Sequence, residues 1–233
     1  MTLRLAGLRA GYGSTPVLHG VDLVVPPGRA VALLGANGAG KTTLLRSALG
    51  LLKPWAGTVT FDGVAVTGLP VHDRVRRGMC LIPEGRGVFR QLTVRQNLAM
   101  QVDGRRVDRA VDVATGAFPV LSERLDQLAG TLSGGQQQML AVARALVTDA
   151  RLVLADELSL GLAPIVVDEI FAAVDDLRRQ GRSLLIVEQY ADRALAVADY
   201  VYILQRGRVA FVGEPAQCTS HEVFARYMGE VVA

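Results

Sequence analysis

Apolar and polar positions alternate along residues 3–8, 21–25 and 57–61, with glycine, proline and an Asp-Gly pair in the gaps between them. That pattern predicts a layer of short antiparallel strands with one face buried. Residues 30–34, 79–82, 152–155 and 184–187 differ in kind. Each is a short, almost unbroken apolar run followed by a polar or glycine-rich loop and then a helix-like stretch, as expected for parallel strands buried on both faces. From about residue 87 to 129 the strand patterning disappears, and Thr93 and Pro119 open stretches with apolar residues at helical spacing. Strand patterning returns at 200–204 and 209–212 around an Arg206-Gly207 turn, and a short helix is expected to close the chain. The expectation is an α/β fold with a mixed β core, an antiparallel β layer and an inserted α-helical lobe. It forms one unit over 1–233, with a core lobe at 1–86 and 131–233 and a helical lobe at about 87–130.

Half of the 233 residues are apolar, which excludes a disordered chain. The longest stretch without a charge, 127–143, carries Ser133, Gly134, Gly135 and Gln136–Gln138, so no spanning helix is expected. Arg4 and Arg9 interrupt the first apolar residues, so no secretory leader is read there and the chain is expected to stay in the cytosol. Cys80 and Cys218 are too few and too separated for a disulfide framework or a zinc site. His19, His72 and His221 stand far apart with no metal-ligand spacing. A net charge of +3, with no basic block and no interleaved aromatics, does not point to nucleic acid. Among the 25 basic residues only Lys41 and Lys53 are lysines. A lysine kept in an arginine-rich chain marks a place where the planar guanidinium does not fit.

Lys41 occupies such a place. Gly35-Ala36-Asn37-Gly38-Ala39-Gly40-Lys41-Thr42-Thr43 follows the apolar run 30–34 and precedes a helix-like 42–49, which is a complete P-loop in a strand–loop–helix context. The glycines let backbone N–H groups approach phosphate oxygens, the helix N-terminus adds favourable potential, Lys41 offers a compact ammonium to the β- and γ-phosphates, and Thr42 offers a hydroxyl to Mg²⁺. The run 152–155 ends in Asp156-Glu157. Asp156 is a candidate to hold the metal through its water shell, and Glu157 to take a proton from the attacking water. By itself such an acidic pair is as well explained as a helix cap; beside a P-loop the chemical role is favoured.

Leu132-Ser133-Gly134-Gly135-Gln136-Gln137-Gln138 opens an apolar helix at 139–147, and Ser133 with Gln136 has capping-box spacing. The two glycines also bare the helix N-terminus to a phosphate. At this motif the sequence resembles the ATP-binding-cassette ATPases, whose signature is this LSGGQ. The resemblance covers essentially the whole chain, with the motifs in order. It implies that Tyr12 stacks on adenine and that 35–43 holds the phosphates of ATP. Thr42, Glu84 and Asp156 would ligand Mg²⁺. Ser133, Gly134, Gly135 and Gln136 would contact ATP held by a second ATPase subunit in a head-to-tail dimer. Transmembrane permease subunits and, indirectly, an external substrate-binding protein are the other implied partners, at the cytoplasmic face of the plasma membrane.

Three departures from the general family pattern narrow the resemblance. Ile82-Pro83-Glu84-Gly85-Arg86 has Glu where most members have Gln; Val187-Glu188-Gln189 has Gln189 in place of the switch His; and Ser159-Leu160-Gly161-Leu162-Ala163-Pro164 lacks an Asp at 163. Together they resemble the ATP-binding subunits of branched-chain amino acid importers, a subunit type that works beside a sister ATPase. Subunits serving urea uptake are similar but usually keep Gln at position 84. Gln189 can donate a hydrogen bond to a γ-phosphate but cannot titrate near neutrality as His would. Leu158 and Ala155 replace a usual Pro and Leu, so a looser backbone around Glu157 is expected, which leaves open a catalytically weak partner of a heterodimer. Arg74, Arg76 and Arg77 read as a solvated helix face, and Trp55 as a packing residue.

Overall fold

The computed structural model describes residues 2–85, 87–188 and 191–218. In chain order, strands β1 (Leu3–Tyr12), β2 (Thr15–Val25) and β3 (Ala30–Leu34) lead to helix α1 (Lys41–Leu49), then β4 (Ala56–Phe61), β5 (Val64–Ala65), α2 (Val71–Arg76) and β6 (Met79–Ile82). Helices α3 (Val94–Ala99), α4 (Val107–Ala117) and α5 (Gly134–Val147) follow, with 3₁₀ turns between them. The chain continues through β7 (Leu152–Asp156), α6 (Pro164–Arg179), β8 (Ser183–Glu188), α7 (Ala191–Val197), β9 (Tyr200–Gln205), β10 (Arg208–Gly213) and α8 (Pro215–Cys218).

One sheet has the order β2-β1-β4-β5 and is antiparallel throughout. The other has the order β10-β9-β3-β8-β7-β6, in which β9, β3, β8, β7 and β6 run parallel and β10 returns antiparallel beside β9. The unbroken apolar runs are explained by where they lie. On β3, Ala30, Ala32 and Leu34 enter a core shared with α5, α6 and the helical segment, while Val31 and Leu33 enter a second core shared with α1 and the antiparallel sheet. Side chains alternate across a strand, so a strand with a core on both sides has no polar positions.

The structure lengthens the first two predicted strands: β1 runs on to Tyr12 and β2 begins at Thr15. Register shifts along this pair bend it away from simple alternation, which is why its outer halves are not legible as strands. Thr93 caps α3 through a complete capping box with Gln96. The stretch opened by Pro119 is a 3₁₀ turn, Pro119–Arg124, rather than an α-helix. Arg74 does not lie on a solvated face. It is 1% exposed, and its guanidinium donates to the backbone oxygens of Ser47, Ala48, Thr67 and Leu69. Trp55 packs against Gly11, where a Cβ would meet the indole at 2.7 Å, although the ring stays half exposed.

Candidate functional site

The parallel sheet collects its chemistry at one edge. The C-terminal ends of β3, β6, β7 and β8 carry, respectively, the loop 35–40, Glu84, Asp156 and Glu188, with β8 lying between β3 and β7. In open α/β sheets this edge is where ligands bind. A cavity of about 440 Å³ opens there, lined by Val17, the loop and helix start from Asn37 to Thr43, Glu84 and Glu157.

The loop's shape follows from its glycines. Gly38 and Gly40 have φ of 78° and 107°, which strain any residue with a Cβ. At Gly40 a Cβ would also meet Leu18 at 2.9 Å, whereas nothing lies within 4 Å of the corresponding point at Gly38. One glycine is needed for packing and the other keeps the backbone open to the cavity. Lys41 is 4% exposed. Its Nζ donates to Gly35 O at 2.8 Å and to Ala36 O at 3.4 Å, and it stands 3.6 Å from Glu157 Oε1. Thr42 Oγ1 donates to Asp156 Oδ1 at 3.3 Å.

Asp156 is 4% exposed, and burial pushes its carboxyl up to about 6; the nearby Glu157 and Glu84 carboxylates add to the rise, while the Thr42 hydroxyl and Lys41 oppose it. A buried carboxylate with two like charges beside it favours a cation. The donors around it are all oxygens, which suits a hard ion such as Mg²⁺. Among the described residues no three His, Cys, Asp or Glu side chains are grouped as a self-contained metal site.

Burying this carboxyl destabilises the chain at neutral pH when nucleotide and metal are absent. The carboxyl's value in the folded chain is higher than the ordinary 3.8 of the unfolded one, so its contribution is fully present below about pH 4 and is lost as pH rises through about 6. Asp156→Asn removes that loss. The variant is expected to melt several degrees higher than the parent at pH 7 in EDTA, on the order of 2 kcal/mol, with roughly half that gain at pH 5. Thermal scans at the two pH values check it; equal melting of variant and parent at pH 7 would refute a charge penalty from burial.

Glu157 has φ 48°, one of three non-glycine residues described with positive φ. Its N–H donates to Val187 O at 2.9 Å. Leu158 is fully buried in the larger core, and Ser159 donates to Glu188 from both its backbone N (3.1 Å) and its hydroxyl (2.7 Å). The looser backbone expected from Leu158 and Ala155 is therefore corrected: a buried leucine and three hydrogen bonds fix this turn. Glu188, not singled out from the sequence, is 1% exposed. The signal was available, since a carboxylate ending an apolar strand run must find donors when buried. Arg86, Gln189 and His221 lie outside the described residues.

Two other groups of expected site residues lie apart from the cavity lining. Tyr12 ends β1 at 44% exposure, and its hydroxyl accepts from Arg46 Nη1 at 3.3 Å. Ser133 caps α5, with its Oγ accepting from Gln136 N at 3.3 Å and Gln136 Oε1 accepting from Ser133 N at 3.1 Å. Gly135 is needed for packing as well, because a Cβ there would come within 2.9 Å of Val166 on α6. None of Ser133, Gly134, Gly135 and Gln136 lines the phosphate-loop cavity.

A phosphate loop between strand and helix, with an acidic strand end beside it and a separate capped glycine pair, defines a P-loop nucleotide-binding protein of the cassette type. The family model described as ABC transporter matches residues 18–159, and the chain belongs to that family. It is 43% identical to the high-affinity branched-chain amino acid transport ATP-binding protein BraG of Pseudomonas aeruginosa, over 94% of this chain and 95% of that one. It is 40% identical to the probable branched-chain amino acid transport ATP-binding protein LivF of Archaeoglobus fulgidus, over 96% of this chain and 97% of that one. Among solved structures, the ADP conformation of MJ1267, an ATP-binding cassette of an ABC transporter, superposes with a TM-score of 0.82 at 27% identity, covering 98% of this chain and 99% of that one. No helix among the described residues is long and apolar enough to cross a membrane.

Proposed function

We propose that the chain is the ATP-hydrolysing subunit of an importer of branched-chain amino acids, held at the cytoplasmic face of the membrane by its permease. The observation that carries the hydrolytic part is the convergence of Lys41, the Thr42–Asp156 pair and Glu157 at the edge of one cavity. The cargo rests on the likeness to BraG and LivF over nearly their full lengths.

In this reading the N–H groups of 38–43 and Lys41 hold the β- and γ-phosphates of ATP, with Gly35 setting the turn and Tyr12 stacking on adenine. Thr42, Asp156 and Glu84 hold Mg²⁺. When bound, Mg²⁺ neutralises charge on the phosphate oxygens. Glu157 orients a water and accepts its proton, and its side chain, 12% exposed, is shielded enough to keep that water ordered. Lys41, now beside Glu157, turns to the phosphates as charge arrives there. Gln189 donates to the γ-phosphate. Ser133, Gly134, Gly135 and Gln136 serve the ATP of a sister subunit, consistent with their separation from this chain's own phosphate loop.

The permease is received on the helical lobe and the loop leading into it, where Phe89, Met100 and Leu128 are exposed. Its base is firm: buried Asn97 accepts from Phe89 N at 2.8 Å and donates to Phe89 O at 3.0 Å. Arg144 of α5 stacks over the Phe89 ring at 4.8 Å and donates to Gly87 O. Displacement of this surface is thereby transmitted to the helix that Ser133 caps.

The chain, tagged in its own cell and extracted in mild detergent, is expected to bring down a second ATPase and permease subunits. ATP turnover of that complex should rise when leucine, isoleucine or valine is added with the binding protein. Stimulation by urea instead would change the cargo, and recovery of only soluble proteins would overturn the importer reading.

A further inference from the structure

We infer that Glu188 is a positioning residue for hydrolysis, its buried carboxylate clamping Ser159 and so holding Glu157 in the left-handed conformation that aims it into the phosphate-loop cavity. The inference rests on the hydrolytic role proposed for Glu157.

Asp156 lies opposite Val187 in the parallel β7–β8 register. One residue on, Glu157 takes φ 48°, a conformation that costs a β-carbon residue roughly 1–2 kcal/mol and has to be imposed by its surroundings. Three hydrogen bonds impose it, all from the end of β8: Val187 O accepts from Glu157 N at 2.9 Å, Glu188 Oε1 from Ser159 N at 3.1 Å, and Glu188 Oε2 from Ser159 Oγ at 2.7 Å. Val187 supplies its bond through the backbone, whatever its side chain. The two bonds from Glu188 depend on a side chain with two acceptor oxygens at the right separation, so they are the part of the clamp that the sequence chooses.

The placement costs something, which argues that it is used. Glu188 is 1% exposed; burial pushes its carboxyl upward, the Ser159 bonds hold it down, and the nearby charge of Glu157 adds a smaller push upward. Among the described residues no arginine or lysine is ion-paired with it. A fold that needed only to fill this space would gain by an apolar residue. A carboxylate there is explained by what it grips, a serine two residues beyond Glu157 on the loop that runs on to Ala163 at the start of α6.

The test is ATP turnover by the full chain carrying Glu188→Leu, Glu188→Gln, Ser159→Ala and the Ser159→Ala/Glu188→Leu pair, with nucleotide binding and melting measured on each. Glu188→Leu is expected to lower kcat about ten- to a hundredfold, because a displacement of the order of an ångström at a reacting group costs that much. KM and Kd for ATP should stay within about twofold, since phosphate binding depends on the loop 35–43. Ser159→Ala, which keeps the backbone bond, should lose less, about three- to tenfold. The double variant should be no worse than Glu188→Leu alone, as for two residues sharing one interaction. Glu188→Gln should recover most of the loss, because its amide can accept from Ser159 N and donate to Ser159 Oγ.

Parent-like kcat in Ser159→Ala, or additive losses in the double variant, would overturn the clamp, and the serine variant decides even where the leucine one folds poorly. A raised KM with unchanged kcat would overturn it as well. A Glu157→Gln chain that still turns over ATP would remove the hydrolytic reading beneath it, a result separable from any of these.

Discussion

Glu157→Gln is expected to abolish steady-state ATP turnover, by 10²–10⁴-fold, while ATP binds at least as tightly as in the parent. The substitution changes one atom in shape and everything in proton affinity. The amide still occupies the left-handed position, still donates its backbone N–H to Val187 O, and still offers an oxygen near Lys41, which lies 3.6 Å from Glu157 Oε1. What it lacks is a lone pair basic enough to take a proton from water. Binding should not suffer, because a negative charge is removed from beside a triphosphate. A fluorescent ATP analogue measures the affinity, and phosphate release over minutes measures the turnover. Retention of more than about a tenth of the parent rate would show that the base is another group or that water needs none.

The carboxylates at the sheet edge are not equivalent, and the geometry says why. Asp156 is the deeper of the adjacent pair, tied to the Thr42 hydroxyl and pushed up to about 6 by burial. It is suited to hold a cation and poorly placed to reach a water in the cavity. Glu157 reaches the cavity wall because the chain turns left-handed at its Cα. Two adjacent residues thus face different tasks through one backbone angle, and the leucine and serine that follow keep the angle in place. In this respect the chain does not read as a weakened partner subunit: Leu158, which suggests laxity beside the usual proline, is fully buried and anchors the turn.

Much of this edge is legible in the sequence because its parts are local. The run Ala30–Leu34 coincides with β3, and Met79–Ile82 with β6, since strands buried on both faces leave no polar residue to blur their ends. The P-loop needs only its own glycines and the strand and helix on either side. Ser133 and Gln136 announce their cap by spacing alone. What is not legible depends on pairs distant along the chain. The Ser159–Glu188 bonds join residues 29 apart, and nothing in either neighbourhood names the other. The outer halves of β1 and β2 are hidden by register shifts that break the alternation. Arg74 departs furthest from what its neighbours in sequence suggest, and part of the reason is again distance along the chain, since Ser47 and Ala48 lie 27 and 26 residues before it.

Arg74→Met is expected to cost about 3–5 kcal/mol and to lower the melting temperature by roughly 10 °C, the largest loss of stability expected from a single side chain away from the cavity. In the sequence it is one of several arginines in a polar stretch, and the bland expectation is a solvated face. The fold gives it another task. The last carbonyls of α1 have no N–H of their own helix to bind, and in this fold they are buried. Arg74 Nη1 donates to Ser47 O at 3.1 Å and Ala48 O at 2.7 Å, Nη2 to Thr67 O at 2.9 Å, and Nε to Leu69 O at 3.1 Å. No carboxylate is paired with it among the described residues, so four carbonyls and the negative end of the α1 dipole stand in for a counter-ion. Burial pulls the guanidinium's pKa down from its ordinary value, but arginine remains charged at neutrality. Methionine fills the volume and leaves the oxygens of Ala48, Thr67 and Leu69 without this donor, each costing on the order of 1 kcal/mol, while Ser47 O keeps only the Gly50 N–H at 3.2 Å. Lysine restores the charge without the fork, so Arg74→Lys should recover only part of the loss. Gly50 is bound to the same arrangement: at φ 90° it ends α1, and a Cβ there would stand 2.8 Å from the guanidinium. Because α1 opens with Lys41 and Thr42, saturating Mg-ATP should raise the melting point of Arg74→Met as it raises the parent's, leaving the gap between them. Thermal unfolding with and without Mg-ATP measures both; a loss below about 2 °C would mean that water reaches these carbonyls and the arginine is dispensable.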